Sequence, residues 1–183
     1  MTRVAATVVV PGRRNVLDTD PHPGEGSPMS GTTTRVASPD DADLVGRLLH
    51  DFNVEFDSPT STADILAGRF RDLLARDDVL VLLADADSGV AGFAFLTLRP
   101  TPYHDGSFAQ LEELYVLPPL RDGGIGTVLL TGAVERVHAK GAGEVHINVD
   151  EVDADTRSFY ERHGFSNVQP GTDERMLCYL REL

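Results

Sequence analysis

Two adjacent carboxylates, Glu112 and Glu113, and a glycine turn, Gly123-Gly124-Ile125-Gly126, are the residues of this chain whose types and spacing suit chemistry. The turn opens a segment, residues 127–140, where Ile125, Val128, Leu129 and Val137 set a helical spacing. Glycines feeding a helix start leave backbone N–H groups unpaired at the positive end of the helix dipole. That arrangement holds anions, so a phosphate-bearing ligand is expected at residues 123–127. The glutamates stand earlier, on a strand whose Leu111, Leu114, Tyr115 and Val116 suit a half-buried surface; Pro118 and Pro119 then stop its pairing. A carboxylate there can take a proton or simply face solvent. Alternation puts the two on opposite faces, with Glu112 on the side of Leu114 and Val116.

Three glycine-rich classes compete for the turn. A Walker-type loop needs Gly-Lys-Ser/Thr, and no lysine follows Gly126. A dinucleotide fingerprint needs a third glycine where this chain has Leu129, and a turn placed directly after the strand, whereas residues 117–121 intervene. What distinguishes this turn is Arg121, three residues before Gly124 and placed after Val116-Leu117-Pro118.

The run Val116-Leu117-Pro118-Pro119-Leu120-Arg121-Asp122-Gly123-Gly124-Ile125-Gly126 resembles the acetyl-CoA motif of the GNAT superfamily of N-acetyltransferases, Val-x-Pro-x-x-Arg-x-x-Gly-x-Gly. A second stretch, Arg157-Ser158-Phe159-Tyr160-Glu161-Arg162-His163-Gly164-Phe165, is similar to that family's tyrosine-bearing helix with its following Gly-Phe. The resemblance implies transfer of an acetyl group from acetyl-CoA to a primary amine, with no metal. The backbone at Leu114, Tyr115 and Val116 would pair with the pantetheine arm. Arg121, Asp122, Gly123, Gly124, Ile125, Gly126 and Thr127 would hold the pyrophosphate. Two positions depart from the family pattern: Asp122 stands where glycine or a basic residue is common, and Asp153 where asparagine usually meets the pantetheine.

The same resemblance assigns proton traffic. A lysine-like amine of pKa about 10.4 is neutral in only about one molecule in 2,500 at pH 7, a barrier of roughly 4.6 kcal/mol. Glu112 is the expected base, acting through water. Leu111-Glu112-Glu113 resembles the Leu-Glu-Asp of polyamine-type members, where the first acid meets the substrate. Tyr160 is the expected acid for the departing thiolate. Glu113 and Asp150 are secondary candidates for contact with the amine. A regulatory acyl-CoA-binding module that lost catalysis is the alternative, and a nucleotide-dependent oxidoreductase a distant third.

The elements that must position these residues follow from patterning. A strand is expected at residues 32–37. A helix capped by Ser38-Pro39-Asp40-Asp41 carries Leu44, Val45, Leu48, Leu49 and Phe52, and a second, capped by Ser61 with Asp64, carries Ile65, Leu66, Phe70, Leu73 and Leu74. Strands at 79–84, 90–98 and 108–116 lead into the glycine turn. A strand at 144–149, a helix at 154–163 capped by Asp153, and closing strands at 165–169 and 174–180 complete a mixed α/β sheet of order β-α-α-β-β-β-α-β-α-β-β, the GNAT-type α+β arrangement. Residues 31–183 form the expected catalytic domain, and residues 1–30 a tail without periodicity. In that tail a signal peptide is a weaker reading, and Met29 an alternative start.

At 183 residues, 41% apolar and 25% charged, the chain has the make-up of one ordinary globular domain. A net charge of −13 argues against nucleic acid and leans towards a small cationic amine. The single cysteine, Cys178, fits a reducing, cytoplasmic compartment. No stretch approaches a membrane span, no His/Cys spacing suggests a metal, and a homodimer is possible.

Overall fold

The computed structural model describes residues 31–181, so the expectation for residues 1–30 lies outside the described residues. Thr33–Val36 forms β1. A short 3-10 turn, Pro39–Asp41, then leads into α1, Ala42–Glu55. Asp41 accepts from the Ser38 N–H at 2.8 Å and the Ser38 hydroxyl at 3.1 Å, and the Arg35 guanidinium grips it at 2.8 and 2.9 Å. Those donors, Arg35 first, hold the Asp41 carboxyl down at about 2. The second helix, α2 (Ala63–Leu73), is capped one residue later than expected: Thr62 Oγ1, not Ser61, accepts from Ile65 N–H.

The apolar run at 79–84 becomes β2 (Val79–Ala86), with residues 80–84 almost wholly buried, as a strand covered on both faces must be. β3 (Gly89–Pro100) and β4 (Ser107–Val116) follow as antiparallel neighbours. After a 3-10 turn at Pro118–Leu120 come α3 (Ile125–Ala139), β5 (Ala142–Ile147) and α4 (Ala154–Arg162). The sheet order is β1-β2-β3-β4-β5, antiparallel except for the parallel pair β4–β5.

Two apolar layers hold the sheet. On one side Leu82, Leu96, Leu111 and Leu114 pack with Leu129, Leu130 and Val137 of α3 and with Phe159 and Tyr160 of α4. On the other, Leu83, Phe93 and Tyr115 pack with Val45, Leu48 and Phe52 of α1 and Phe70 of α2. Burial at about 25 cal/mol per Å² makes these layers the main stabilising term.

The two closing strands expected at 165–169 and 174–180 do not form ladders. Val168 and Arg175 make one antiparallel bridge, with Gln169 N–H to Glu174 O at 2.8 Å and Met176 N–H to Asn167 O at 2.7 Å. Beyond it Leu177, Tyr179 and Leu180 face solvent. Without apolar burial nothing offsets the entropy of fixing this segment as a strand.

Replacing Asp41 with Asn should destabilise the fold by about 1–2 kcal/mol at pH 7, since it weakens the cap and the Arg35 fork together. A depressed carboxyl contributes stability that is present above its unfolded pKa and lost as pH falls through its folded one. The deficit, measured by urea unfolding, should therefore shrink as pH drops from about 4 towards about 2.

Candidate active site

The site begins where β4 parts from β5. The β4–β5 ladder ends at Leu111↔Ile147, whereas β4 stays paired to β3 as far as Gly92↔Val116. Residues 112–116 thus keep one strand edge open, as an extended ligand would need for backbone pairing. β4 also carries a bulge. Phe95 pairs with Glu113 and Leu96 with Leu111, which leaves Glu112 as the extra residue.

This bulge overturns the alternation argument for Glu112. Leu111 and Leu114 lie three apart yet join the same apolar layer, so parity does not run through residue 112. Glu112 Oε1 accepts from Thr97 Oγ1 at 2.5 Å. Glu113 is the acid that the fold withdraws from water: its Oε2 is buried and has no hydrogen-bond partner. Desolvation, and secondarily the negative charge of Glu112, push its carboxyl up to about 8.

Tyr160 lies across from it on α4, only 2% exposed, its ring edge-on to Phe159 and Phe165 at 5.1 and 5.4 Å. Its hydroxyl is also buried without a partner. Burial, then the charges of Glu113 and Asp153, push the phenol far above its ordinary value, so it keeps its proton throughout the working pH range. Two buried polar atoms left unpaired cost stability.

The glycine turn has the geometry of an anion cradle. Asp122 and Gly124 both take left-handed backbone, at φ 61° and 80°. Asp122 departs from the family pattern without strain, because aspartate is among the few non-glycine residues that tolerate this region. The first turn of α3 follows at once, and its earliest backbone bond is Val128 N–H to Gly124 O at 3.1 Å. The N–H groups ahead of Val128 face the helix end without intrahelical partners. The turn, the end of β4 and Phe159 and Arg162 of α4 line a cleft of about 180 Å³, partly open to solvent.

The other expected residues are occupied as follows. Asp153 caps α4, accepting from Thr156 N–H at 3.1 Å. The Thr127 hydroxyl and His163 Nε2 share a hydrogen bond at 3.2 Å, while His163 Nδ1–H donates to Phe159 O at 2.7 Å, tying the end of α4 to the start of α3. Ile125 is a core residue. Asp150 is exposed on the loop between β5 and α4. Arg121 is in the lining of the cleft, but its nitrogens are already bonded. Its end nitrogens grip Glu55 at 2.6 and 2.8 Å, its Nε–H donates to Val116 O at 2.8 Å, and its guanidinium lies 5.5 Å from the Tyr115 ring centroid. The Tyr115 hydroxyl also donates to Glu55, at 3.2 Å; burial first, and then Glu55, raise this phenol to about 12. Sequence reasoning missed Glu55, which ends a helix read only for its apolar face and lies far from Arg121 along the chain.

The sequence matches the family model of the acetyltransferase (GNAT) family over residues 45–165. The chain belongs to the GNAT family. Among curated proteins, this GNAT chain is similar to an aminoglycoside N(6')-acetyltransferase type 1 of Klebsiella aerogenes, at 28% identity over 108 residues that cover 58% of this chain and 68% of that one. It is similar to an aminoalkylphosphonate N-acetyltransferase of Salmonella typhimurium, at 31% identity over 100 residues covering 52% and 65%. Among solved structures, a candidate acetyltransferase from Arthrobacter sp. FB24 shares 43% identity with a TM-score of 0.77, over 90% of this chain and 100% of that one. GNAT acetyltransferases use acetyl-CoA, and the open edge at 112–116, the left-handed turn and the two unpaired buried atoms fit such a ligand.

A carboxyl with a raised folded pKa lowers stability as pH climbs from its unfolded value of 4.5 to about 8, because the unfolded chain sheds the proton that the native state keeps. Glu113→Gln removes this penalty. Its melting temperature relative to the wild type should rise between those pH values by several degrees and then level off. A constant difference across the range would contradict burial of an ionisable Glu113.

Proposed function

We propose that this GNAT chain transfers an acetyl group from acetyl-CoA to the primary amine of a small molecule, with Glu113 receiving the amine proton and Tyr160 serving the sulfur. The observation that carries this reading is the pairing of Glu113 and Tyr160, two buried groups with unused polar atoms, close enough that the charge of Glu113 raises the Tyr160 phenol. The curated relatives, named for aminoglycosides and aminoalkylphosphonates, support a small-molecule amine. The net charge of −13 favours a cationic one.

The amine nitrogen attacks the thioester carbonyl, a C–N bond forms and the C–S bond breaks. A proton leaves the nitrogen and one arrives at the sulfur. With a pKa of about 8, Glu113 lies only about 2.4 units below a lysine-like amine, whereas an ordinary glutamate lies about 6 below it. Transfer to Glu113 is therefore several kcal/mol less unfavourable. Glu112 contributes by its charge, which helps to hold the Glu113 carboxyl up. The two ends of the reaction are linked. An ionised Glu113 raises the Tyr160 phenol, so a proton arriving on Glu113 relieves that effect and makes Tyr160 a better donor as the thiolate leaves.

Thiol release should appear when acetyl-CoA is supplied with a panel of aminoglycosides, aminoalkylphosphonates, polyamines and amino acids, and at least one member should be turned over. Tyr160→Phe should then lower kcat by about 100-fold or more while changing the Kd for acetyl-CoA less than about threefold. Equal losses in both would remove Tyr160 from the chemistry. Silence across the whole panel, with CoA still bound, would favour a binding module.

A further inference from the structure

The cradle lacks the cation that its motif promises. Arg121 spends its nitrogens on Glu55 and on Val116 O, and its side chain is only 11% exposed. It braces the turn from beneath. The acid that follows it, Asp122, adds a negative charge to the wall of the cleft. Backbone N–H groups and one helix dipole remain, yet a CoA moiety brings a pyrophosphate and a 3′-phosphate, all anionic. The lining of the cleft includes a second guanidinium, that of Arg162, the last residue of α4. Arg162 is exposed, and among the described residues no carboxylate pairs with it; its helix neighbour Arg157 is the one that pairs with Glu161, at 3.8 Å. His163, next in the chain, is bonded to Thr127 in the first turn of α3, which fixes the end of α4 beside the cradle.

We propose that Arg162 is the side chain that pairs with a phosphate of CoA, in place of Arg121. The inference rests on CoA being the ligand of the cleft. A planar guanidinium on a long, exposed stem can close over a phosphate after the ligand has entered, and two parallel N–H bonds suit a phosphate oxygen pair. It also offsets the charge of Asp122 in the same lining.

Calorimetric titration of CoA and dephospho-CoA into the wild type, Arg162→Gln and Arg162→Lys tests this. The wild type should bind CoA. Arg162→Gln should weaken binding by about 10- to 100-fold and flatten its salt dependence, with an unchanged melting temperature in the absence of ligand, and Arg162→Lys should lie between. A deficit that vanishes with dephospho-CoA places the pairing on the 3′-phosphate; one that persists places it on the pyrophosphate. Arg162→Gln binding CoA within about twofold of the wild type would overturn the proposal while leaving the CoA reading intact. No binding by the wild type would overturn both.

Discussion

β4 has two incompatible duties, and the site exists because it performs them in succession. Up to Leu111 it is an interior strand, paired on both sides and buried against α3. Beyond that point β5 leaves it, and residues 112–116 offer an open edge in the middle of a sheet. Open edges expose unpaired N–H and C=O groups and are costly to keep. Here the cost is contained: the stretch is short, β3 still holds its other side, and the two prolines that follow prevent further pairing. The bulge at Glu112 sits at the point of parting. It re-aims the strand so that one glutamate leans on Thr97 while the next enters the interior.

The remaining parts of the site follow from this parting. The glycine turn follows the open edge after the short 3-10 turn at Pro118–Leu120 and leads into the start of α3. Asp122 and Gly124 supply the left-handed backbone that makes the turn tight. The brace of Arg121, Glu55 and Tyr115 joins the end of α1 to the end of β4 and to the turn, so both layers of the fold bear on the cradle. α4 contributes Phe159 and Arg162 to the lining of the cleft, and its own start is fixed by the Asp153 cap.

What the sequence made legible is what is encoded locally. The glycine turn, the arginine spacing, the tyrosine helix and the helix starts at Ser38 and Asp153 are all read within a few residues, and the structure contains them. The orientation of Glu112 relative to Glu113 was not local. It depended on where β3 makes β4 bulge, and a two-residue alternation carries no record of that. Arg121 shows the same limit: its ion pair with Glu55, which lies 66 residues earlier in the chain, has no trace in its own neighbourhood. The closing strands failed for a different reason. Leu177, Tyr179 and Leu180 have the composition of a strand, yet the described fold offers them no apolar surface to cover. Ser61 and Thr62 are neighbours, and intrinsic capping preference favours the serine, so residue type alone points one position too early.

The central claim is that Glu113 accepts the proton and that Glu112 tunes it. The pH dependence of kcat/KM in Glu112→Gln and Glu113→Gln tests this most directly. The account predicts a rising limb centred near about 8 in the wild type. The limb should be lost with most of the activity in Glu113→Gln. In Glu112→Gln it should be retained but moved to lower pH, since a like charge has been removed. A Glu112→Gln enzyme as inactive as Glu113→Gln, or a Glu113→Gln enzyme that keeps the limb, would contradict it.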